Sequence, residues 1–264
     1  MPEPTEKFKV SFSALETFTQ CPRKYYYNYI LKLKRFPWPW LLFGNFVHSV
    51  LEKFHKYIIY YNKNNKEIKY GFLMRRAFES ALRYYGRIGK PISTQSQKEA
   101  KDMLRVYLEG IRKHCPDVLF VEKWFEIEIG DFLLRGAMDR VDKTSKPNEF
   151  EIVDYKTSKR AFDVNKNHQL ALYSFALRTI LKTKNIAVKS MKRTLNFIRL
   201  KKIKSAPHEE EKIQEAVSYV TEVGSKIINN INTCKTEDDW KPIDNVFCRF
   251  CDFKDRCYES RGKY

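Results

Sequence analysis

VEKWFEIEIGDFLLRGAMDRVDKTSKPNEFEIVDYKTS, residues 121–158, falls into three runs in which apolar and polar side chains alternate, separated by Gly130-Asp131 and by the polar loop TSKPNE. A period of two marks a strand with one buried face, and short turn-rich separators join such strands as antiparallel neighbours. The stretch therefore predicts a three-stranded β-meander. If the second loop centres near residue 146, residues whose numbers sum to about 293 face one another, and Asp139 then faces Asp154. Lys156, two residues beyond Asp154, shares its face.

Opposed carboxylates weaken a sheet and raise each other's pKa unless a cation offsets the repulsion. A divalent ion does so, and oxygen donors suit Mg²⁺ or Mn²⁺. An ammonium group on the same face can orient water and stabilise charge developing on a phosphate. The competing reading is a solvent-facing hairpin whose acids and lysine form a surface ion pair of little worth. Against it, Asp154 and Lys156 interrupt the apolar run IVDY, and His48 borders the stripe Val47, Leu51, Phe54 and Ile58 of a helix predicted over 44–60. A histidine there is either a satisfied core residue or a ligand. His55, His114, His168 and His208 offer no comparable setting.

Upstream, SFSALETFTQCPRKYYYNYI opens with Ser13 and Glu16 at capping-box spacing and is interrupted by Pro22, which predicts two short helices with Cys21 at the joint. A Pro/Trp-rich turn, FPWPW, follows at 36–40. Residues 61–70 are polar and turn-like, and helical patterns over 71–86 and 96–114 suggest an inserted helical layer. Downstream of the meander, HQLALYSFALRTILKT returns to helical spacing, RTLNFIRL reads as a fourth strand, and 208–232 as a charged helix. The tail VFCRFCDFKDRC is too short and too rich in cysteine for either. No internal repeat or linker marks a boundary; the expected division is a helical region over 1–120, a core over 121–245 and a cysteine segment over 246–264.

Hydrophobic residues at 43% and aromatics at 15% of 264 residues describe a folded chain with a sizeable core. With 50 Lys+Arg against 32 Asp+Glu the formal charge is +18, which favours a polyanion such as nucleic acid, although many of the lysines can equally be solvated surface. The opening MPEPTEKFKV lacks a signal-peptide core, and no run approaches the roughly 18 apolar residues of a spanning helix, so a soluble intracellular protein without membrane contact is expected. Gly89-Lys90 is followed by Pro91, so no nucleotide-binding P-loop is present to drive a motor.

In a reducing compartment cysteines are ligands or buried thiols rather than disulfides. Cys248-x-x-Cys251-x5-Cys257 supplies three thiolates, and Cys21 can supply a fourth if the chain ends meet. Spacing alone leaves zinc and an iron–sulfur cluster both open. Cys115 and Cys234 read as plain thiols.

Gly44-x-x-x-His48-x-x-x-Glu52, Gly136-x-x-Asp139-Arg140, Ile152-Val153-Asp154-Tyr155-Lys156-Thr157 and Gln169-x-x-x-Tyr173, in this order, resemble RecB-type nucleases of the PD-(D/E)xK superfamily over residues 11–55, 121–177 and 246–257. The resemblance implies an α/β fold in which a mixed sheet is flanked by helices. It also implies metal-dependent DNA cleavage, with exonuclease action on single-stranded ends as the expectation. It makes His48, Asp139, Asp154 and the Tyr155 carbonyl ligands of Mg²⁺ or Mn²⁺, Lys156 the catalytic lysine, and Gln169 and Tyr173 residues of the DNA path. Glu126 or Glu128 is a further candidate, holding the metal through water. Cys21-Pro22-Arg23 with the C-terminal triplet is similar to related RecB-type and CRISPR-associated adaptation nucleases that hold a 4Fe-4S cluster, so Cys21, Cys248, Cys251 and Cys257 become its expected ligands, with zinc as the alternative. A helicase or integrase would then be a partner. The competing class is a nucleic-acid-binding module that kept the fold and lost the chemistry.

Overall fold

The computed structural model describes residues 7–34 and 38–262. Phe36 and Pro37 of the FPWPW turn, and most of the stretch on which the signal-peptide reading rests, lie outside them. In chain order the elements are β1 (Phe8–Ser11), α1 (Phe12–Gln20), α2 (Pro22–Tyr25), a π-helical turn (Tyr26–Ile30), α3 (Pro39–Lys63), α4 (Tyr70–Arg87), α5 (Thr94–Lys113), β2 (Asp117–Ile129), β3 (Phe132–Lys143) and β4 (Glu149–Lys156). There follow α6 (His168–Thr183), β5 (Ser190–Phe197), β6 (Lys202–Pro207), α7 (Glu210–Thr233) and α8 (Lys254–Glu259). Contacts group the chain into two units, Pro37–Trp124 with Ala137–Ile213, and Met1–Phe36 with Phe125–Gly136 and Gln214–Tyr264.

In the first unit β3 and β4 are antiparallel, with Arg140 opposite Val153 and Val141 opposite Ile152, the register that a loop centred near residue 146 requires. β4 and β5 are parallel, and β5 and β6 antiparallel, so the sheet is mixed. A parallel pair needs a crossover, and α6 supplies it. Because successive strand residues alternate in face, Val153 and Tyr155 enter the apolar core built by α3, α4 and α5. Phe46, Val47, Val50, Leu51, Phe54 and Ile58 form the buried stripe of α3, packed on Leu73, Ala77 and Ala81 of α4 and on Leu104 of α5. At Gly44 α3 passes close to the residue that follows β4: a Cβ there would stand 3.1 Å from Thr157 Oγ1. The missing side chain lets α3 carry His48, one turn on, towards the strand ends.

In the second unit β1 runs parallel to the first half of β3, Phe8 opposite Phe132. α7 comes so near β3 that a Cβ on Gly224 would collide with the Phe132 ring. Cys21 does separate α1 from α2, with Pro22 at the first position of the second helix.

Several expectations need correction. Ser11, not Ser13, caps α1: β1 holds it extended and its hydroxyl accepts the Ala14 N–H. The fourth strand stops at Phe197, because Ile198–Leu200 form a 3-10 turn closed by Lys201 at φ 53°, and a short charged strand, β6, follows. β1 and β6 are too short for periodicity to reveal them. The cysteine-rich tail contains a 3-10 turn, Cys248–Phe250, and runs into a short α-helix, α8, with Asp255 at its N-terminal end, where the helix dipole favours an acid.

Candidate metal centre and active site

β3 and β4 hold Asp139 and Asp154, and the ladder between them is paired as far as Arg140 and Val153. Two residues beyond Val153 the Tyr155 N–H donates to Asp139 Oδ2 at 2.8 Å, so the carboxylate is fixed by backbone. His48 of α3 places Nδ1 3.3 Å from the same oxygen. Lys156 Nζ stands 2.7 Å from Asp154 Oδ2 and donates to Gln169 Oε1 of α6 at 3.3 Å. The Gln169 amide in turn donates to the Tyr173 hydroxyl at 2.9 Å. Asp154 is buried, and its Oδ2, for all its nearness to the ammonium, has no hydrogen-bond partner of good geometry.

Glu122 completes the group. Ligand atoms of His48, Glu122 and Asp139 all lie within 4.8 Å of one another, an imidazole and two carboxylates that suit Mg²⁺ or Mn²⁺. The expected acids Glu126 and Glu128 instead sit on exposed positions of β2. Strict alternation would put Glu122 on their face, but its backbone is left-handed at φ 47°, which breaks the alternation. Sequence periodicity cannot register such a break.

The electrostatics are those of a crowded anionic site. Burial disfavours charge on His48, but the Asp139 carboxylate, with Asp154 beside it, overrides this and lifts the imidazole pKa to about 9. Burial also works against Asp139, yet His48 and the Tyr155 N–H hold it below the usual carboxylate range. Asp154 is raised to about 6 by burial, only partly offset by Lys156. Glu122 is raised to about 7 by burial and by repulsion from Asp139 and Glu52. Tyr173 is pushed up by burial and by Asp154 and Asp139. A cation among these groups would replace the protons that such crowding favours.

The Tyr155 ring lies with the helical core, in a polar cluster absent from the sequence reading. Its hydroxyl is 2.8 Å from that of Tyr107, and Arg140 Nη1 donates to both at 2.6 Å. His55, fully buried, places Nε2 2.6 Å from the Tyr107 hydroxyl. Arg140 also contacts Asp142 Oδ2, through Nε at 3.1 Å and Nη2 at 2.9 Å. His55 falls four residues after Leu51, on the apolar stripe, and that was the available signal that it is buried.

In the second unit Cys21, Cys248, Cys251 and Cys257 line one cavity, together with Arg23, Lys24, Lys254 and Arg261. Burial raises the thiols of Cys251 and Cys257. Arg23 is buried there, donating through Nε to the Trp240 carbonyl and through Nη2 to Asp238.

The chain is 28% identical over 212 residues to one subunit of the ATP-dependent helicase/deoxyribonuclease of Clostridium perfringens, in each of three strains. That match covers 65% of this chain and 18% of the relative, so the chain spans less than a fifth of the relative's length. A crystal structure from Eubacterium rectale, named as a candidate exonuclease, superposes with a TM-score of 0.54 over 93% of this chain and 87% of that one, at 15% identity, a likeness of fold. A family model matches residues 9–258, nearly the whole chain, and on that ground the protein belongs to the PD-(D/E)XK nuclease superfamily.

Proposed function

We propose that this protein is a Mg²⁺- or Mn²⁺-dependent deoxyribonuclease that acts as an exonuclease on single-stranded ends. The observation that carries the reading is the convergence of His48, Glu122 and Asp139 within 4.8 Å, beside the Lys156–Asp154 pair. His48, Asp139, Asp154 and the Tyr155 carbonyl are the proposed ligands, with Glu122 in the role expected of Glu126 or Glu128. When bound, the ion supplies Lewis-acid polarisation of the scissile phosphate.

The protein's own groups do the rest. The Tyr155 N–H and His48 hold Asp139 in one orientation. Lys156, kept in place by Asp154 and Gln169, directs its ammonium group at water and at the negative charge that grows on the phosphate. Tyr173 anchors Gln169, and these two residues border the strand's path. A non-catalytic module would have no need to keep all of these groups in contact.

We further propose that Cys21, Cys248, Cys251 and Cys257 hold a 4Fe-4S cluster, with zinc as the alternative; four thiols on one cavity ringed by cationic side chains support this. The name of the Clostridium relative supports DNA as substrate and a helicase as partner. The test is degradation of end-labelled single-stranded DNA with Mn²⁺. Lys156→Ala should lower the rate by about 10²–10⁴-fold with the fold intact, as loss of a charge-stabilising or proton-transferring group does. No product from the wild type in any divalent metal would transfer the protein to the binding class.

A further inference from the structure

A groove between α3 and α4 is lined by Asn45, Ser49, Glu52 and Lys53 of α3, by Tyr84 and Tyr85 of α4, and by His48 and Glu122 of the metal centre. We propose that this groove holds the nucleotide adjoining the scissile phosphate of a single-stranded substrate, its base against Tyr84 and its phosphate at Lys53. This rests on the nuclease reading and deepens it by naming where the strand runs.

Asn45, Ser49 and Lys53 recur every four residues and so form one stripe along α3. At 1.5 Å per residue, Lys53 lies about 7.5 Å along the axis from His48. That is comparable to the step between successive phosphates of an extended strand. Tyr84 is 45% exposed, and Lys53 Nζ lies 6.0 Å from its ring centroid, so an aromatic face and a cation are presented together. Tyr85 fixes the place: buried, it meets the Tyr84 ring edge-on at 5.5 Å and the Phe46 ring at 5.6 Å. Glu52, the acid of α3 in the groove, is tied to Lys56 at 2.5 Å, which offsets its repulsion of a phosphate. Asn45 and Ser49 offer hydrogen bonds to sugar or base.

An exposed tyrosine face beside a lysine is the combination that binds single strands without sequence preference. Bases within a duplex are covered on both faces by their neighbours, so this groove would accept an unpaired or frayed end and reject a paired one.

The experiment compares wild type, Tyr84→Ala, Tyr84→Trp and Lys53→Gln. Binding of a short fluorescein-labelled oligothymidylate is read by anisotropy without divalent ion, and cleavage is followed in Mn²⁺ with that oligonucleotide and with a labelled oligomer of tetrahydrofuran abasic residues, which keeps the phosphates and has no base. Tyr84→Ala should raise Kd and KM for the oligonucleotide about tenfold while leaving turnover of the abasic oligomer unchanged, and Tyr84→Trp should restore both constants. Lys53→Gln should reduce the slope of log Kd against log salt by about 0.7. Unchanged constants in Tyr84→Ala, or no restoration by Trp, in an enzyme that cleaves both substrates overturns the groove alone. A wild type inert on both substrates fails at the nuclease reading and takes the groove with it.

Discussion

Asp142 sits in an environment that its side chain does not prefer. Burial, with Glu151 and Asp117 nearby, outweighs two contacts from Arg140 and pushes its carboxyl up to about 6, against an ordinary 3.8. A folded-state pKa above the unfolded one means that the native state binds the proton more tightly. The stabilisation is full below about pH 4 and is lost as pH rises through 6, a change of up to about 3 kcal/mol. An amide in place of this carboxyl cannot titrate, so the stability of Asp142→Asn relative to wild type, from denaturant unfolding, should move in the variant's favour by about 2 kcal/mol between about pH 4.5 and about pH 7.5. A difference that stays flat over that range would remove the raised carboxyl from the account. Arg140→Met should be worse, costing about 3–5 kcal/mol, since it strips the guanidinium from a buried carboxylate, from the buried Tyr155 phenol and from the half-buried Tyr107 phenol. Chemical denaturation at neutral pH measures it.

Elements are placed by backbone features that carry their own cost. Glu122 holds a left-handed conformation in β2, which a side chain with a Cβ adopts at a cost of about 1 kcal/mol. Glu122→Gly should therefore leave the ion-free protein as stable or stabilise it, while weakening Mn²⁺ binding measured by calorimetry. A variant that loses stability and keeps its metal affinity would argue that the strained backbone serves packing instead. The close approach of α7 to β3 depends on Gly224, and Gly224→Ala drives a methyl group into the Phe132 ring. Overpacking of this kind costs about 1–3 kcal/mol, visible as a lowered denaturation midpoint with no direct effect on the metal centre.

At the scale of the whole molecule, the cysteines belong to one unit and the candidate metal centre to the other. With the proposed iron–sulfur cluster, Cys251→Ala should abolish its visible absorbance and lower stability, whereas Asp154→Ala should leave absorbance and fold alone and remove activity. Absorbance and a thermal melt on the same samples decide this; equal behaviour of the two variants would mean that the roles are wrongly divided. The formal charge of +18 adds a term common to all substrates, so affinity for any DNA should fall steeply with salt.

What residues 121–158 determine by themselves is the meander, its register and the meeting of Asp139 with Asp154, because a period of two and a loop centre leave little freedom. The apolar stripes determined α3 to α7 in the same way, each side chain repeating on one face every three or four residues. Only the tertiary structure decided that Glu122 rather than Glu126 or Glu128 joins His48 and Asp139, since a single left-handed residue reverses a strand's faces without altering its pattern. It likewise decided the cluster of His55, Tyr107, Arg140 and Tyr155, contributed by α3, α5, β3 and β4. Local pattern records how a segment meets its own neighbours. Which distant segments share a site depends on how helices and strands pack, and no spacing within one segment encodes that.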